Sequence, residues 1–84
     1  MKTIHSERYG LLIDELIASR KRQGLTQQQV AEWLEKPQSY IAKIEGRERK
    51  MDVMEFMQLC EVLGLTPSLV IAKFESPSAM VKEV

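Results

Sequence analysis

The stretch LTQQQVAEWLEKPQSYIAKIEG, residues 25–46, has the pattern of two short helices joined by a tight turn. Thr26 followed by Gln29 gives the T-x-x-Q capping box that starts a helix. Because Pro37 disfavours helical backbone in the residue before it, a second helix is predicted to start beside Pro37 and to stop at Gly46. The apolar residues that fall at helical spacing, and are predicted to face a core, are Val30, Ala31, Leu34, Ile41 and Ile44.

Three further helices are predicted around this pair. The first runs from about residue 7 to about residue 22, Asp52 and Glu55 form a second capping box at the start of the fourth, and Thr66 with Pro67 starts the fifth. The sequence therefore predicts an all-α domain of five helices. The residues of these three helices, and just beyond them, that are predicted to be buried are Tyr9, Leu12, Ile13, Leu16, Ile17, Val53, Phe56, Met57, Cys60, Leu63, Leu69, Val70 and Phe74.

The length and composition favour one small soluble domain. Of 84 residues, 44% are hydrophobic and 29% charged. We expect a domain over residues 1–74 and a C-terminal tail over 75–84 that is mobile or ordered by a partner. No apolar run approaches the roughly 20 residues that span a bilayer, and no signal peptide is expected at the N-terminus. Because the single cysteine, Cys60, cannot form an intramolecular disulfide, a reducing cytoplasm is the expected location.

The net charge of zero argues against a strongly basic nucleic-acid-binding coat. The charges are unevenly distributed, however. Residues 1–50 hold ten Lys/Arg and seven Asp/Glu, a balance of +3, whereas residues 51–84 hold two and five, a balance of −3. A local cationic surface around residues 25–46 is therefore expected.

No catalytic or metal-binding pattern is found in the sequence, so no enzyme and no cofactor are predicted. One histidine and one cysteine cannot supply an ordinary zinc site without several converging carboxylates. His5 is expected to be solvated near the terminus, and Cys60 to pack in the core. No nucleophile–base arrangement, glycine-rich phosphate loop or catalytic carboxylate pair stands out.

The residues of the two-helix stretch that fall in register as one motif are Leu25-Thr26-Gln27, Val30-Ala31, Pro37-Gln38-Ser39, Ile41, Ile44-Glu45 and Gly46. With this motif, the chain resembles the Cro/phage-repressor type of helix-turn-helix, the XRE family, from the first helix to about Ile71. This resemblance implies a lambda-repressor-like DNA-binding domain, with the helix-turn-helix at helices two and three. The family usually has glycine at the turn where this chain has Glu35, which is therefore expected to adopt a positive φ at modest cost.

The resemblance implies that helix three enters the major groove of DNA, where its exposed side chains contact bases. Gln38 matches a family position that often contacts a base, and glutamine pairs with N6 and N7 of adenine. Ser39 can donate or accept a hydrogen bond, and Ala42 can meet a thymine methyl. Lys43 can reach guanine or a phosphate. These four residues are the predicted base contacts.

A second group is predicted to contact DNA phosphates, which position a protein without reading sequence. Gln27 resembles the family residue that contacts the backbone, and the other members are Tyr40, Arg47, Arg49 and Lys50. Three of these five residues have a structural alternative. Arg49 and Lys50 can be solvated surface, and Tyr40 can cover the edge of the core.

Three neighbouring features are better explained by structure than by function. Residues 20–22 are expected to complement the helix dipole at the end of helix one. Glu45 is expected to hold local structure, since its negative charge disfavours contact with anionic DNA. Trp33 is expected to be partly buried, with its exposed part open to a partner.

The predicted function is sequence-specific binding of double-stranded DNA and transcriptional regulation, by repression. Because a single small module makes few base contacts, a homodimer on a palindromic operator is expected, with half-sites about 34 Å apart. The candidate dimer residues are Leu69, Phe74, Met80 and Val81. The alternative is a protein-interaction module, such as an antitoxin or accessory subunit on the same fold.

Overall fold

The computed structural model describes residues 6–75, which form five α-helices and, in this range, no strand. The predicted all-α, five-helix architecture is confirmed. The helices are α1 (Glu7–Arg22), α2 (Gln27–Trp33), α3 (Gln38–Glu45), α4 (Val53–Val62) and α5 (Pro67–Ala72). Helices α2 and α3 pack on each other, α1 packs on α3, and α4 contacts both α2 and α5.

Local hydrogen bonds fix the starts of three helices. The Ser6 hydroxyl accepts from a backbone amide in the first turn of α1 at 3.0 Å. At α2, Thr26 Oγ1 accepts from the Gln29 amide at 3.0 Å and Gln29 Oε1 accepts from the Thr26 amide at 2.8 Å. At α4, Asp52 and Glu55 make the equivalent bonds at 2.7 and 3.0 Å. Both predicted capping boxes are confirmed.

The turn between α2 and α3 has the predicted backbone geometry. Glu35 adopts φ 57°, in the left-handed region where glycine is more common. The amide of Lys36 donates to the carbonyl of Ala31 at 2.9 Å, which closes the end of α2. The turn therefore keeps its shape without glycine, and α3 starts directly after Pro37.

The core lies where α1, α2, α3 and α4 meet, and α5 adds Val70 to it. Most of the predicted buried positions are confirmed, with Leu59 as an additional member. Tyr9, Leu12, Ile17, Leu34 and Phe74 are partly buried against this core. The buried hydrophobic residues are Ile13, Leu16, Val30, Ala31, Ile41, Ile44, Phe56, Leu59, Cys60, Leu63 and Val70.

Three residues that were predicted to be buried are exposed. Val53 is 73% exposed, Met57 37% and Leu69 66%. The buried stripe of α4 follows the spacing Phe56, Leu59, Cys60 and Leu63, and a step of one residue turns a helix by about 100°, which carries Met57 off the stripe. The same step carries Leu69 away from Val70 on α5. Val53 is the first residue of α4, and the buried stripe of this helix begins only at Phe56.

Trp33 is also more exposed than expected, at 59%. It is the last residue of α2, whose inward face is formed by Val30 and Ala31. The candidate dimer residues Met80 and Val81 lie outside the described residues, as does the tail after Glu75. None of the helices in residues 6–75 has the length and apolar character to cross a membrane.

Candidate nucleic-acid interface

The exposed face of α3 carries the four residues predicted to contact bases. Ile41 and Ile44 are buried and fix the inward face of this helix. At about 100° per residue, positions 39, 42 and 43 lie opposite this inward face, and position 38 lies at its side. Gln38, Ser39 and Lys43 are exposed, and Ala42 is half-buried. The fold thus brings all four predicted residues together on one surface, which we call the α3 face.

Gln38 is held in place by Gln27 from the start of α2. Gln38 Nε2 donates to Gln27 Oε1 at 2.6 Å. Gln27 Nε2 in turn donates to Glu45 Oε1 at 2.9 Å. A side chain that was predicted to contact bases is therefore bonded to one that was predicted to contact phosphate. This pairing was not evident from the sequence.

Glu45 is anchored by Arg20, which is buried at the end of α1. Arg20 Nε donates to Glu45 Oε2 at 2.7 Å and Arg20 Nη2 donates to Oε1 at 2.8 Å. Arg20 Nη1 also donates to the Leu25 carbonyl at 2.8 Å, next to the start of α2. Glu45 holds local structure, as expected. For Arg20, an end-of-helix role was expected, but the side chain points inward and joins three elements.

Tyr40 lies beside the α3 face and contacts two cations. Lys36 Nζ is 5.3 Å and Arg49 Cζ 4.9 Å from the centroid of its ring, both within cation–π range. Arg49 is also bound to Glu55 by two hydrogen bonds, of 2.8 and 2.7 Å. Of the predicted phosphate contacts, Arg49 therefore already has a carboxylate partner.

The Arg49–Glu55 pair changes the titration of its members. Hydrogen bonds from Arg49 and from the Asp52 amide lower the pKa of Glu55 to about 2. The hydrogen bond with Glu55 raises the pKa of Arg49. Burial, followed by the negative charge of Glu55, raises the pKa of Tyr40. At neutral pH the pair is thus fully charged and Tyr40 is a neutral phenol.

The remaining predicted phosphate contacts follow α3. Arg47 and Lys50 are both exposed. Arg47 has φ 59°, so it is the second non-glycine residue of the described chain in the left-handed region. Its side chain turns back toward α1 and lies against Gly10. No ion pair of Arg47 with a carboxylate is found among residues 6–75.

Neither the cysteine nor a cluster of metal-ligating side chains offers a second site within residues 6–75. Cys60 is completely buried, and this burial raises the pKa of its thiol to about 11. Within residues 6–75, no group of three or more His, Cys, Asp or Glu side chains is arranged to hold a metal. The candidate site is the α3 face together with its cationic border, which we define as Lys36, Arg47, Arg49 and Lys50.

The chain is similar to known helix-turn-helix proteins in sequence and in structure. A family profile described as a helix-turn-helix domain matches residues 12–71. A solved structure described as an XRE-family like protein from Pseudomonas syringae pv. tomato str. DC3000 is 42% identical, with a TM-score of 0.80. The match covers 87% of this chain and 89% of that one. The chain belongs to the XRE-type helix-turn-helix family.

Membership of the XRE-type family makes this chain a DNA-binding regulator in general terms, and the family is typically not enzymatic. A comparison with curated protein sequences gives no significant match. Within the matched domain, α2 and α3 form the helix-turn-helix, and the second of these two helices bears the predicted base contacts.

Proposed function

We propose that the chain binds double-stranded DNA sequence-specifically, with α3 in the major groove, and that it represses transcription from the bound site. The proposal is supported chiefly by the Gln27–Gln38 hydrogen bond on an exposed helix face. This bond fixes the Gln38 amide before any DNA arrives, so less rotamer freedom is lost on binding.

The bond to Gln27 leaves Gln38 suited to adenine. A glutamine amide has two N–H donors and a carbonyl oxygen that accepts. Since one donor is directed to Gln27, one donor and the oxygen remain. Adenine offers N7 as an acceptor and N6–H as a donor in the major groove, which match these two groups. We therefore expect adenine opposite Gln38.

The rest of the α3 face complements this contact. Lys43 supplies a cation for guanine O6 or N7, and Ala42 a methyl group for thymine. Ser39 adds a hydroxyl that both donates and accepts. Around these residues, Gln27, Tyr40, Arg47, Arg49 and Lys50 are proposed as phosphate contacts. Among them, Arg49 is expected to contribute least, since Glu55 already compensates its charge.

We further propose that two copies bind a palindromic operator. A single module buries only about 600–1,000 Å², which limits the affinity of one half-site. Leu69 on α5 is exposed and apolar, as an interface residue would be. Phe74 is half-buried beside the core and would support it. Further exposed apolar residues lie on α4, namely Val53, Met54 and Met57.

The function is tested by selecting bound duplexes from a random pool and measuring their affinity by fluorescence polarisation. Replacing Lys43 by alanine should cost about 1–3 kcal/mol and relax the base preference at one position. Lys73→Ala is the matched control, since Lys73 pairs with Glu15 on α1 and lies outside the α3 face. If the pool yields no bound sequence, DNA recognition is wrong and the protein-interaction alternative is favoured.

The dimer is tested with Leu69→Glu, and Leu11→Glu on α1 is the control because Leu11 is also exposed and apolar. Sedimentation should show that Leu69→Glu loses the two-protomer complex on a palindromic duplex but still binds a single half-site. If only one wild-type protomer binds the palindromic duplex even at high protein concentration, the dimer proposal is contradicted.

A further inference from the structure

Gly10 lies in the first half of α1, buried beneath the side chain of Arg47. A Cβ added at Gly10 would overlap Nη1 of Arg47 and lie 3.3 Å from its Cζ. The Arg47 guanidinium thus occupies the space into which any other residue at position 10 would extend. The contact joins two residues that are far apart in the sequence and depends on one of them having no side chain.

The backbone of Arg47 directs its side chain to this place. Its amide donates to the Ile44 carbonyl at 3.1 Å, and its φ of 59° reverses the chain directly after α3. Glycine adopts this conformation without steric cost, whereas arginine does not. A non-glycine residue in this region calls for an explanation, and such residues often occur at functional sites.

Arg47 differs from Arg20 and Arg49 in its ion pairing. Arg20 is paired with Glu45, and Arg49 with Glu55. Within residues 6–75, Arg47 has no carboxylate within ion-pair distance, although it is packed against Gly10. An exposed guanidinium that is held by packing, but not neutralised, is well suited to bind an anion bidentately.

We infer that Gly10 is a positioning residue for DNA binding: it holds the Arg47 guanidinium against α1, ready for one phosphate of the duplex at the border of the α3 face. The inference deepens the proposed function and rests on it. Gly10 itself does not contact DNA. It acts by leaving room for the guanidinium and by limiting the orientations that the guanidinium can adopt.

Salt dependence of DNA binding tests this role, because each phosphate contact adds to the slope of log K against log salt. Arg47→Gly, which keeps the backbone conformation, should lower the magnitude of this slope by about 1. It should also reduce the affinity for all DNA sequences alike, by on the order of fivefold at moderate salt. Gly10→Ala should produce the same kind of change although it removes no charge. The double variant should bind no more weakly than Arg47→Gly alone.

A second measurement applies even if Gly10→Ala does not fold. The amide resonance of Gly10 in a ¹⁵N–¹H spectrum should shift when DNA is added to the wild-type protein, and should shift much less in Arg47→Gly. An unchanged Gly10 resonance, or an Arg47→Gly variant with the wild-type salt slope, overturns the inference. If Gly10→Ala folds, additive losses in the double variant overturn it too.

The two proposals fail in different ways. If the wild-type protein selects a sequence, and Lys43→Ala relaxes that preference while Arg47→Gly keeps the salt slope, DNA recognition survives and the role of Gly10 is wrong. If the wild-type protein binds no duplex, both are wrong.

Discussion

Arg20 and Glu45 form an ion pair with two hydrogen bonds that ties the end of α1 to the end of α3. Their side chains are only 11% and 12% exposed. Glu45 Oε1 also accepts from Gln27, whose own oxygen accepts from Gln38. A continuous set of hydrogen bonds therefore leads from a buried arginine to the residue that we propose reads adenine.

Removal of Glu45 should destabilise the domain strongly. Glu45→Ala leaves the Arg20 charge nearly buried without a counter-ion, which typically costs about 3–5 kcal/mol. Thermal unfolding followed by circular dichroism should show that Tm falls by more than about 10 °C. The matched control is Lys73→Ala, which breaks the exposed Lys73–Glu15 pair and should cost less than about 1 kcal/mol. Equal losses from the two substitutions would contradict this account.

Gln27 and Gln38 should be energetically coupled in DNA binding. Gln27→Ala frees the Gln38 amide and so weakens the proposed adenine contact, in addition to any phosphate contact of Gln27 itself. A double-mutant cycle on the selected duplex should give a coupling energy of about 0.5–1.5 kcal/mol. Gln28→Ala is the control, because Gln28 bonds to Glu32 on its own helix. Additive losses for Gln27 and Gln38 would show that the hydrogen bond does not support recognition.

The sequence predicted those features that depend on neighbouring residues. The capping boxes of Thr26 and Asp52 and the positive φ of Glu35 are local, because each follows from a few side chains and their own backbone. The exposed face of α3 was predictable for the same reason, since two buried isoleucines determine which residues point outward. Whether that face contacts DNA remains a prediction.

The contacts between distant parts of the chain were not predictable from local patterns. The Arg20–Glu45 pair and the Gly10–Arg47 contact depend on how α1 crosses the end of α3, which no single helix determines. The exposure of Val53 and Met57 was missed for a related reason. Helical spacing shows which residues share a stripe, but the width of that stripe depends on the neighbouring helices.

Cys60 should be unreactive in the folded protein. Its thiol is fully buried, and burial raises its pKa to about 11, so very little thiolate is present near neutral pH. Alkylation by iodoacetamide at about pH 8 should be slow in the native state and fast in denaturant. A Cys60→Ala/Ser68→Cys variant supplies an exposed control thiol on α5, which should react quickly in both states. Rapid native alkylation of Cys60 would mean that the core opens readily.

The Arg49–Glu55 pair should make stability depend on acid pH. The folded-state pKa of Glu55 is about 2, against an ordinary value of 4.5. As the pH falls, Glu55 therefore takes up a proton in the unfolded chain at a higher pH than in the folded chain. The stabilisation is therefore present above about pH 4.5 and is lost as the pH falls toward 2. The gain is limited because the Arg49 side chain is 40% exposed and solvent screens the pair.

Glu55→Gln tests this dependence, because glutamine keeps the shape of the side chain and removes its titration. Urea unfolding should show that the wild-type protein is more stable than the variant at neutral pH, and that the difference shrinks as the pH falls from 4.5 toward 2. In an Arg49→Ala background the pH-dependent part should be smaller but not absent, since the Asp52 amide still bonds to Glu55. A difference that stays constant across this range would show that Glu55 titrates alike in the folded and unfolded chains, and that the ion pair adds nothing to stability.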